Sequence, residues 1–202
     1  NWKDEGIAFK ISEDPKDEIR KGCVLERPKV IFNKKTGKFV MWFHFEEDGS
    51  YSSAQCAVAV ADQVTGPYKF VARMRPNAGF WPQNVPDAEK KLLSPDEQTA
   101  FAPMRFNGGP DTFRAGYLIL RAQHADGQMA RDMSAFVDDD GKAYLVFASE
   151  HNGTLQISQL DDTYTKHIGK YIRIAPMGIN ESPCIFKRDG RYYMITSRCA
   201  GW

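Results

Sequence analysis

The chain has 202 residues, of which 42% are hydrophobic and 26% are charged. This composition is typical of one globular domain or a part of one, and not of a disordered or fibrous chain. Its 27 Lys and Arg residues nearly balance its 26 Asp and Glu residues, so it lacks the basic field that binding to nucleic acid or anionic lipid requires; nor does any apolar run reach the roughly 20 residues of a bilayer-spanning helix.

One pattern occurs three times along the chain, each time as an acidic residue, a short apolar stretch, a turn with glycine and an aromatic-rich stretch. The copies cover residues 26–43, 132–147 and 181–195. In the second and third copies the turn contains Asp-Gly between β-branched and aromatic runs. Glycine readily adopts the positive φ of a tight turn, so each copy predicts a β-hairpin.

More strand-like runs follow the first two copies, at residues 56–60 and 68–71 and again at residues 154–158 and 170–174. Each unit thus holds about four strands, and the second and third units start 49 residues apart, near the roughly 40 to 50 residues of a propeller blade. The pattern predicts an all-β fold, a β-propeller, with a β-sandwich as the alternative. Because known propellers have about four to eight blades, we expect the chain to be part of a longer protein, with residues 1–6 as the last strand of a preceding blade.

The first and second units start 106 residues apart because a long segment lies between them. Residues 73–113 carry six of the eleven prolines and show little periodicity, which predicts an inserted loop. We expect a short strand pair or a helical turn within and just after it, at residues 87–93 and 117–120.

Each copy of the repeat opens with a carboxylate at the start of its first strand: Glu26, Asp132 and Glu181. The innermost strand of every propeller blade lines the central channel, so these three acids are expected to meet at one mouth. Adjacent carboxylates repel each other, which favours the protonated form of one of them at neutral pH. Glycoside hydrolysis uses such a combination of one protonated acid and one or more carboxylates. The acids of the turn at residues 138–140 lie at the far end of the hairpin and are expected only to flank it.

The motifs that contain these acids resemble glycoside hydrolase family 43, and within it the exo-β-1,3-galactanase-like branch, over nearly the whole chain outside the insertion. They are Glu26-Arg27-Pro28-Lys29, Arg131-Asp132-Met133-Ser134 with the following Phe136-Val137-Asp138-Asp139-Asp140-Gly141, and Asn180-Glu181-Ser182-Pro183. The resemblance implies a five-bladed β-propeller, of which about three blades are represented in this chain. Residues 1–202 would then be part of a single glycoside hydrolase propeller domain with a proline-rich inserted loop at about 73–113.

The resemblance also implies an inverting glycosidase that acts from the chain end on β-1,3-linked galactan. The alternatives are an α-L-arabinofuranosidase or β-xylosidase of the same family, since pocket shape decides the sugar, and a non-catalytic glycan-binding propeller. The partner is expected to be a polysaccharide or oligosaccharide, which implies a periplasmic or secreted protein.

Individual residues receive roles from the same resemblance. Glu181 would be the general acid, Asp132 would orient it and keep it protonated, and Glu26 would hold a sugar hydroxyl or help to activate water. Further sugar-binding positions are Tyr51, Glu150, Asn152 and Trp202. Tyr51 and Trp202 suit core or rim packing equally well, and a nearby cation could pair with Glu150. Most of the wider family takes its catalytic base from an aspartate of the first blade, which these 202 residues do not contain, and we expect them to be inactive on their own.

Histidines and cysteines are dispersed, so the sequence predicts neither a zinc site nor a catalytic triad. The four histidines, expected to be structural, are His44, His124, His151 and His167; the four cysteines are Cys23, Cys56, Cys184 and Cys199. Free buried thiols are expected, with a disulfide between Cys23 and Cys56 as the alternative in an exported protein. No cofactor is predicted. Family relatives sometimes hold calcium in the channel, but no ligand cluster in this sequence supports it.

Overall fold

The computed structural model describes residues 3–47, 49, 51–101, 116–176 and 178–198. In these residues ten strands form three antiparallel sheets in which strands pair in chain order. The first sheet contains β1 (Val24–Asn33), β2 (Lys38–Glu46), β3 (Gln55–Ala61) and β4 (Lys69–Met74). The second contains β5 (Met133–Val137), β6 (Ala143–Ser149), β7 (Thr154–Leu160) and β8 (His167–Ile174), and the third contains β9 (Asn180–Arg188) and β10 (Arg191–Arg198). The all-β class and the three hairpins are confirmed, and the first two units hold four strands each.

The core between the first two sheets is built from alternate residues of their strands. Trp42 on β2 is fully buried beside Phe147 of the second sheet, and its Nε1 donates a 2.8 Å hydrogen bond to the carbonyl of Tyr164. Met41 and Phe43 point to the other face of β2, into a second apolar cluster. Because β2 is buried on both faces, residues 39–43 in its first half are all apolar, and each large side chain buried there contributes about 1.5–3 kcal/mol of hydrophobic stabilisation.

The segment between β4 and β5 forms no strand in its described part. It contains a 3₁₀ turn at Asp87–Glu89, helix α1 (Pro95–Phe101) and helix α2 (Leu118–Ala122). Of the two forms expected around residues 87–93 and 117–120, the helical one is therefore correct. None of the helices in the described part of the chain has the length or the apolar character to span a membrane.

The proline-rich segment lies against β8, the last strand of the second sheet. The backbone N–H of Gln83 donates to the carbonyl of Tyr171, and the side chain of Asn84 bonds both the N–H and the carbonyl of Arg173. The hydroxyl of Tyr171 in turn donates to the carbonyl of Phe80. These bonds occupy backbone groups of β8 that no strand of the described residues pairs with, so this segment covers a sheet edge that would otherwise template aggregation.

The N-terminal segment does not form the predicted strand where the structure describes it. Residues 3–6 have no regular structure. The backbone N–H of Gly6 bonds the carboxylate of Asp4 at 2.8 Å, and Gly6 has φ of 84°. A local turn of this kind, closed by an aspartate side chain, competes with an extended strand.

The disulfide between Cys23 and Cys56 is not formed, and both thiols are free. Cys56 lies in the core between the first two sheets, whereas Cys23 packs against the apolar cluster on the opposite face of the first sheet. Two side chains on opposite faces of one sheet cannot reach each other to form a bond. Cys56 is the buried free thiol that the sequence predicts, Cys23 is half-buried, Cys184 is exposed, and Cys199 lies outside the described residues.

His167 gives the fold a dependence on pH that can be measured. Its ring packs edge-on against Trp42 and Phe147, and burial lowers its pKa from 6.5 to about 3. Because the unfolded chain takes up this proton first, the stabilisation is complete above the ordinary pKa and is lost as the pH falls towards the folded value. We expect His167→Gln, which cannot titrate, to reduce the loss of unfolding free energy between about pH 6.5 and about pH 5 by about 2 kcal/mol. Denaturant titrations of the full-length protein and the variant at the two pH values measure this difference, and an equal loss in both would contradict it.

Candidate active site

The first strands of the first and third sheets carry the same backbone irregularity at their glutamates. Glu26 pairs with His44 and Glu181 pairs with Ser197, and in both strands the register then shifts. The next residue has a positive φ in each case, 55° at Arg27 and 47° at Ser182. Residues that are neither glycine nor asparagine adopt this conformation rarely and at a cost of about 1–3 kcal/mol.

The Glu-X-Pro sequence accounts for these two bulges. Proline has no N–H for a sheet ladder, so Pro28 and Pro183 suit positions where pairing is interrupted. A bulge bends the strand and redirects the side chains beside it. The sequence repeat thus corresponds to a repeated local geometry, and each bulge carries a glutamate at its start.

Asp132, which directly precedes β5, joins the two bulges. Its Oδ1 accepts a 2.8 Å bond from Nε of Arg27, and its Oδ2 accepts bonds from the backbone N–H and the hydroxyl of Ser182 at 3.1 and 2.8 Å. The side chain of Asp132 is only 11% exposed. The structure therefore brings together the starts of all three repeats, with Glu26 and Glu181 each one residue away from a partner of Asp132.

Glu26 is held from two sides. The hydroxyl of Tyr51 donates to its Oε1 at 2.7 Å, and Nδ1 of His44 lies 3.4 Å from its Oε2. The bond to Glu26, followed by partial burial, raises the pKa of Tyr51. Arg131 fixes the Tyr51 backbone by donating to its carbonyl at 3.1 Å. Tyr51 thus acts on Glu26 within this structure, in addition to its predicted contact with sugar.

Glu181 accepts a 2.8 Å bond from Nδ2 of Asn152. Asn152 lies in the turn between β6 and β7, where Glu150, His151 and Asn152 have φ of 52°, 54° and 65°. Three consecutive residues in the left-handed region are costly, and such strain is concentrated at functional sites. Burial, followed by the charges of Arg131 and Arg75, lowers the pKa of His151 to about 4.

The predicted sugar-binding residue Glu150 is buried, and both of its oxygens are occupied. Arg173 donates to its Oε1 and Oε2 at 2.7 and 2.8 Å, and Thr154 donates to Oε1 at 3.0 Å. This pairing with a cation is the alternative that the sequence left open, and it anchors the strained turn below Asn152. Direct contact of Glu150 with a sugar stays a prediction. Trp202 lies outside the described residues.

The three acids differ in the partners that face them. Asp132 pairs with Arg27, and Glu26 faces His44. Within the part of the chain that the structure describes, Glu181 has no cationic partner and receives only the neutral amide of Asn152. A nearby cation favours the ionised carboxylate and a nearby anion favours the protonated one. Of the three acids, Glu181 is therefore the one whose described side-chain partner is a neutral amide.

His44, for which the sequence predicts only a structural role, lies next to Glu26, and Glu46, which is not among the candidate residues, contacts His44. Nε2 of His44 lies 2.7 Å from Oε1 of Glu46, and Glu46 is fully buried. The signal was present as His-Phe-Glu on β2, because residues two apart in a strand share a face. Among the described residues, no group of three or more His, Cys, Asp or Glu is arranged to hold a metal ion.

Comparisons with known proteins agree with the sequence motifs. Residues 116–201 match the family model of glycosyl hydrolases family 43. A β-D-galactofuranosidase, xynD, from Aspergillus niger is 34% identical over 76 residues, which are 38% of this chain and 22% of that protein.

Solved structures match over a larger part of the chain. The GH43 β-1,3-galactosidase BT3683, solved with galactodeoxynojirimycin, is 50% identical and matches with a TM-score of 0.90 over 100% of this chain and 58% of its own. The exo-β-1,3-galactanase 1,3Gal43A from Clostridium thermocellum is 29% identical, with a TM-score of 0.67 over 94% of this chain and 32% of its own. The chain thus spans just over half the length of the first of these structures and less of the others. The resemblance to glycoside hydrolase family 43 that the three motifs predict is therefore confirmed, and the chain matches only a part of the length of these relatives.

Proposed function

We propose that the full-length protein containing this chain is an inverting, exo-acting glycosidase on β-1,3-linked galactan. The family match and two of the solved relatives, a β-1,3-galactosidase and an exo-β-1,3-galactanase, support this proposal. The single observation that carries it is the cluster of Glu26, Asp132 and Glu181, in which Asp132 pairs with Arg27, Glu26 lies beside the buried His44 and Glu181 receives the amide of Asn152. A module that only binds glycan has no need of a coupled group of acids.

In this proposal Glu181 protonates the leaving glycosidic oxygen. Asp132 stays ionised through Arg27 and Ser182, and its negative charge keeps the proton on Glu181. Asn152 orients the Glu181 carboxyl group. Glu26, held by Tyr51 and His44, accepts a hydrogen bond from a sugar hydroxyl or from the attacking water.

The proposed architecture is a five-bladed β-propeller, of which the two four-stranded sheets and the third hairpin are successive blades. Residues 1–202 then form part of one such domain, and the segment between β4 and β5 is an insertion into it. The hydrolysis of a polysaccharide takes place outside the cytoplasm, so we place the protein in the periplasm or outside the cell. The sugar is bound through carboxylates, an amide and aromatic faces, the usual polar and apolar groups of such a pocket, with Trp202 as one of the aromatic residues.

The full-length protein incubated with β-1,3-galactobiose tests this function. We expect galactose to be released first as the α-anomer, because inversion at the β-linked carbon has this outcome. Proton NMR within the first minutes, before mutarotation, distinguishes the anomers. β-1,4-Galactobiose, an aryl α-L-arabinofuranoside and an aryl β-xyloside serve as controls that should react more slowly. Release of the β-anomer would contradict inversion, and preferential hydrolysis of a control would contradict the proposed sugar.

A further inference from the structure

His44 is buried between two carboxylates, one on each side of its ring. Its side chain is 3% exposed, Nε2 lies 2.7 Å from Oε1 of Glu46, and Nδ1 lies 3.4 Å from Oε2 of Glu26. Nδ1 makes no hydrogen bond to any described residue. The ring thus connects the partly exposed acid of the site to an acid in the interior.

Glu46 is the fixed end of this arrangement. Burial alone would raise its pKa, but bonds from His44, the backbone N–H of Ala54 and the hydroxyl of Ser53 outweigh burial and hold the pKa below its usual value. The bonds from Ser53 and Ala54 reach Oε2 at 2.7 and 2.8 Å. An ionised carboxylate can only accept hydrogen bonds, so the proton in the bond between His44 and Glu46 lies on Nε2.

Because Nε2 carries a proton, the charge of the ring depends on whether Nδ1 carries one as well. In a neutral His44 the lone pair of Nδ1 would face the negative Glu26 carboxylate. With a proton on Nδ1 as well, the positively charged ring would face that carboxylate instead. The other titratable groups around the ring are Tyr51 and the cross-strand neighbour Cys56, whose thiol points to the carbonyl of Met74. The nearby cations Arg75 and Arg131 act on Glu46 and Tyr51.

We propose that His44, oriented by Glu46, is a positioning residue that carries a positive charge against Glu26 and keeps that acid ionised and correctly aimed. The effect of His44 on catalysis rests on the proposed function, whereas its charge rests on the buried Glu26–His44–Glu46 geometry. A site with three acids requires neighbouring charges that determine which acid is protonated. His44 would act on Glu26 as Arg27 acts on Asp132, in each case as a positively charged side chain beside a carboxylate.

Histidine NMR on the full-length protein tests the charge without any substrate. In protein labelled with ¹⁵N-histidine, His44→Gln identifies the His44 signals by their loss. We expect Nε2 to carry a proton throughout the titration and Nδ1 to lose its proton at a lower pH in Glu26→Gln than in the wild type, because the neighbouring negative charge is gone. An Nδ1 titration that is identical in Glu26→Gln and in the wild type would overturn the proposal, as would a signal showing Nε2 without a proton.

Kinetics of a matched pair of variants tests the consequence for Glu26. Glu46→Gln removes the negative charge that supports His44, whereas Glu47→Gln changes the next residue, whose carboxylate pairs with Arg20 and Arg73 away from the site. We expect Glu46→Gln to lower kcat/KM about 100-fold, the usual cost of a misplaced group, and to move the acidic limb of the pH profile to higher pH.

The matched control Glu47→Gln is expected to retain wild-type kinetics, and both variants are compared by circular dichroism and Tm. A wild-type pH profile in folded Glu46→Gln would overturn the proposal. If the wild-type protein hydrolyses no galactan, the proposed function fails, while the NMR titration still decides the charge of His44.

Discussion

Glu181→Gln is expected to lower kcat/KM of the full-length protein on β-1,3-galactobiose by about 10³-fold, the typical contribution of a general acid. Glutamine keeps the size of the side chain and its contact with Asn152, so the fold and substrate binding should be retained. Only the proton for the leaving oxygen is lost. Initial rates of galactose release over a range of substrate concentrations measure the effect, and we expect it in kcat with KM changed little.

A substrate with a better leaving group separates proton donation from other roles of Glu181. An aryl β-galactoside with a strongly acidic phenol needs little protonation, so its hydrolysis should fall far less in Glu181→Gln than that of the disaccharide. An equal loss on both substrates would assign Glu181 to binding or structure. Full activity on the disaccharide would remove it from its proposed role altogether.

Asp132→Asn is expected to lower kcat about 100-fold or more and to move the basic limb of the pH profile to lower pH. Without the adjacent negative charge Glu181 ionises more readily, so the active protonated form is lost at a lower pH. The asparagine also leaves Arg27 without its anionic partner in a site where Asp132 is only 11% exposed. A pH series of kcat between about pH 4 and about pH 9 shows the direction of the shift.

Arg27→Met provides the opposite change at the same pair. Removal of the cation makes ionisation of the neighbouring acids harder, so the basic limb should move to higher pH. Asp139→Asn, at the far turn, removes the same charge as Asp132→Asn and is its control, which should leave the profile unchanged. If both Asp132→Asn and Arg27→Met shift the limb in the same direction, the electrostatic role of the pair is wrong.

The repeated hairpins could be predicted from sequence because their signals are local. Alternating apolar residues and Asp-Gly turns identify a hairpin without knowledge of the rest of the chain. The Glu-X-Pro sequence at Glu26 and Glu181 is local too, and it correctly marked two equivalent positions. The N-terminal segment failed as a strand because the turn between Asp4 and Gly6 is also local and opposes extension.

Other features of the site depend on contacts that no local pattern encodes. His44 faces Glu26 only because β1 and β2 pair in one particular register, and a shift by one residue would put it on the other face. The pairing of Glu150 with Arg173 joins a turn to a strand further along the second sheet. The Cys23–Cys56 alternative was wrong for the same reason, since the sequence does not reveal which face of the sheet each thiol occupies.

The contacts of Asp132 have a consequence for how such a site can change. Because this one short side chain binds the middle residue of both bulges, Arg27 and Ser182, the separation of the two glutamates depends on the start of the second sheet. A single longer or shorter side chain at that position would alter the distance between Glu26 and Glu181 while β1 and β9 kept their sequences. The spacing of two strands in different sheets thus depends on one residue that belongs to neither strand.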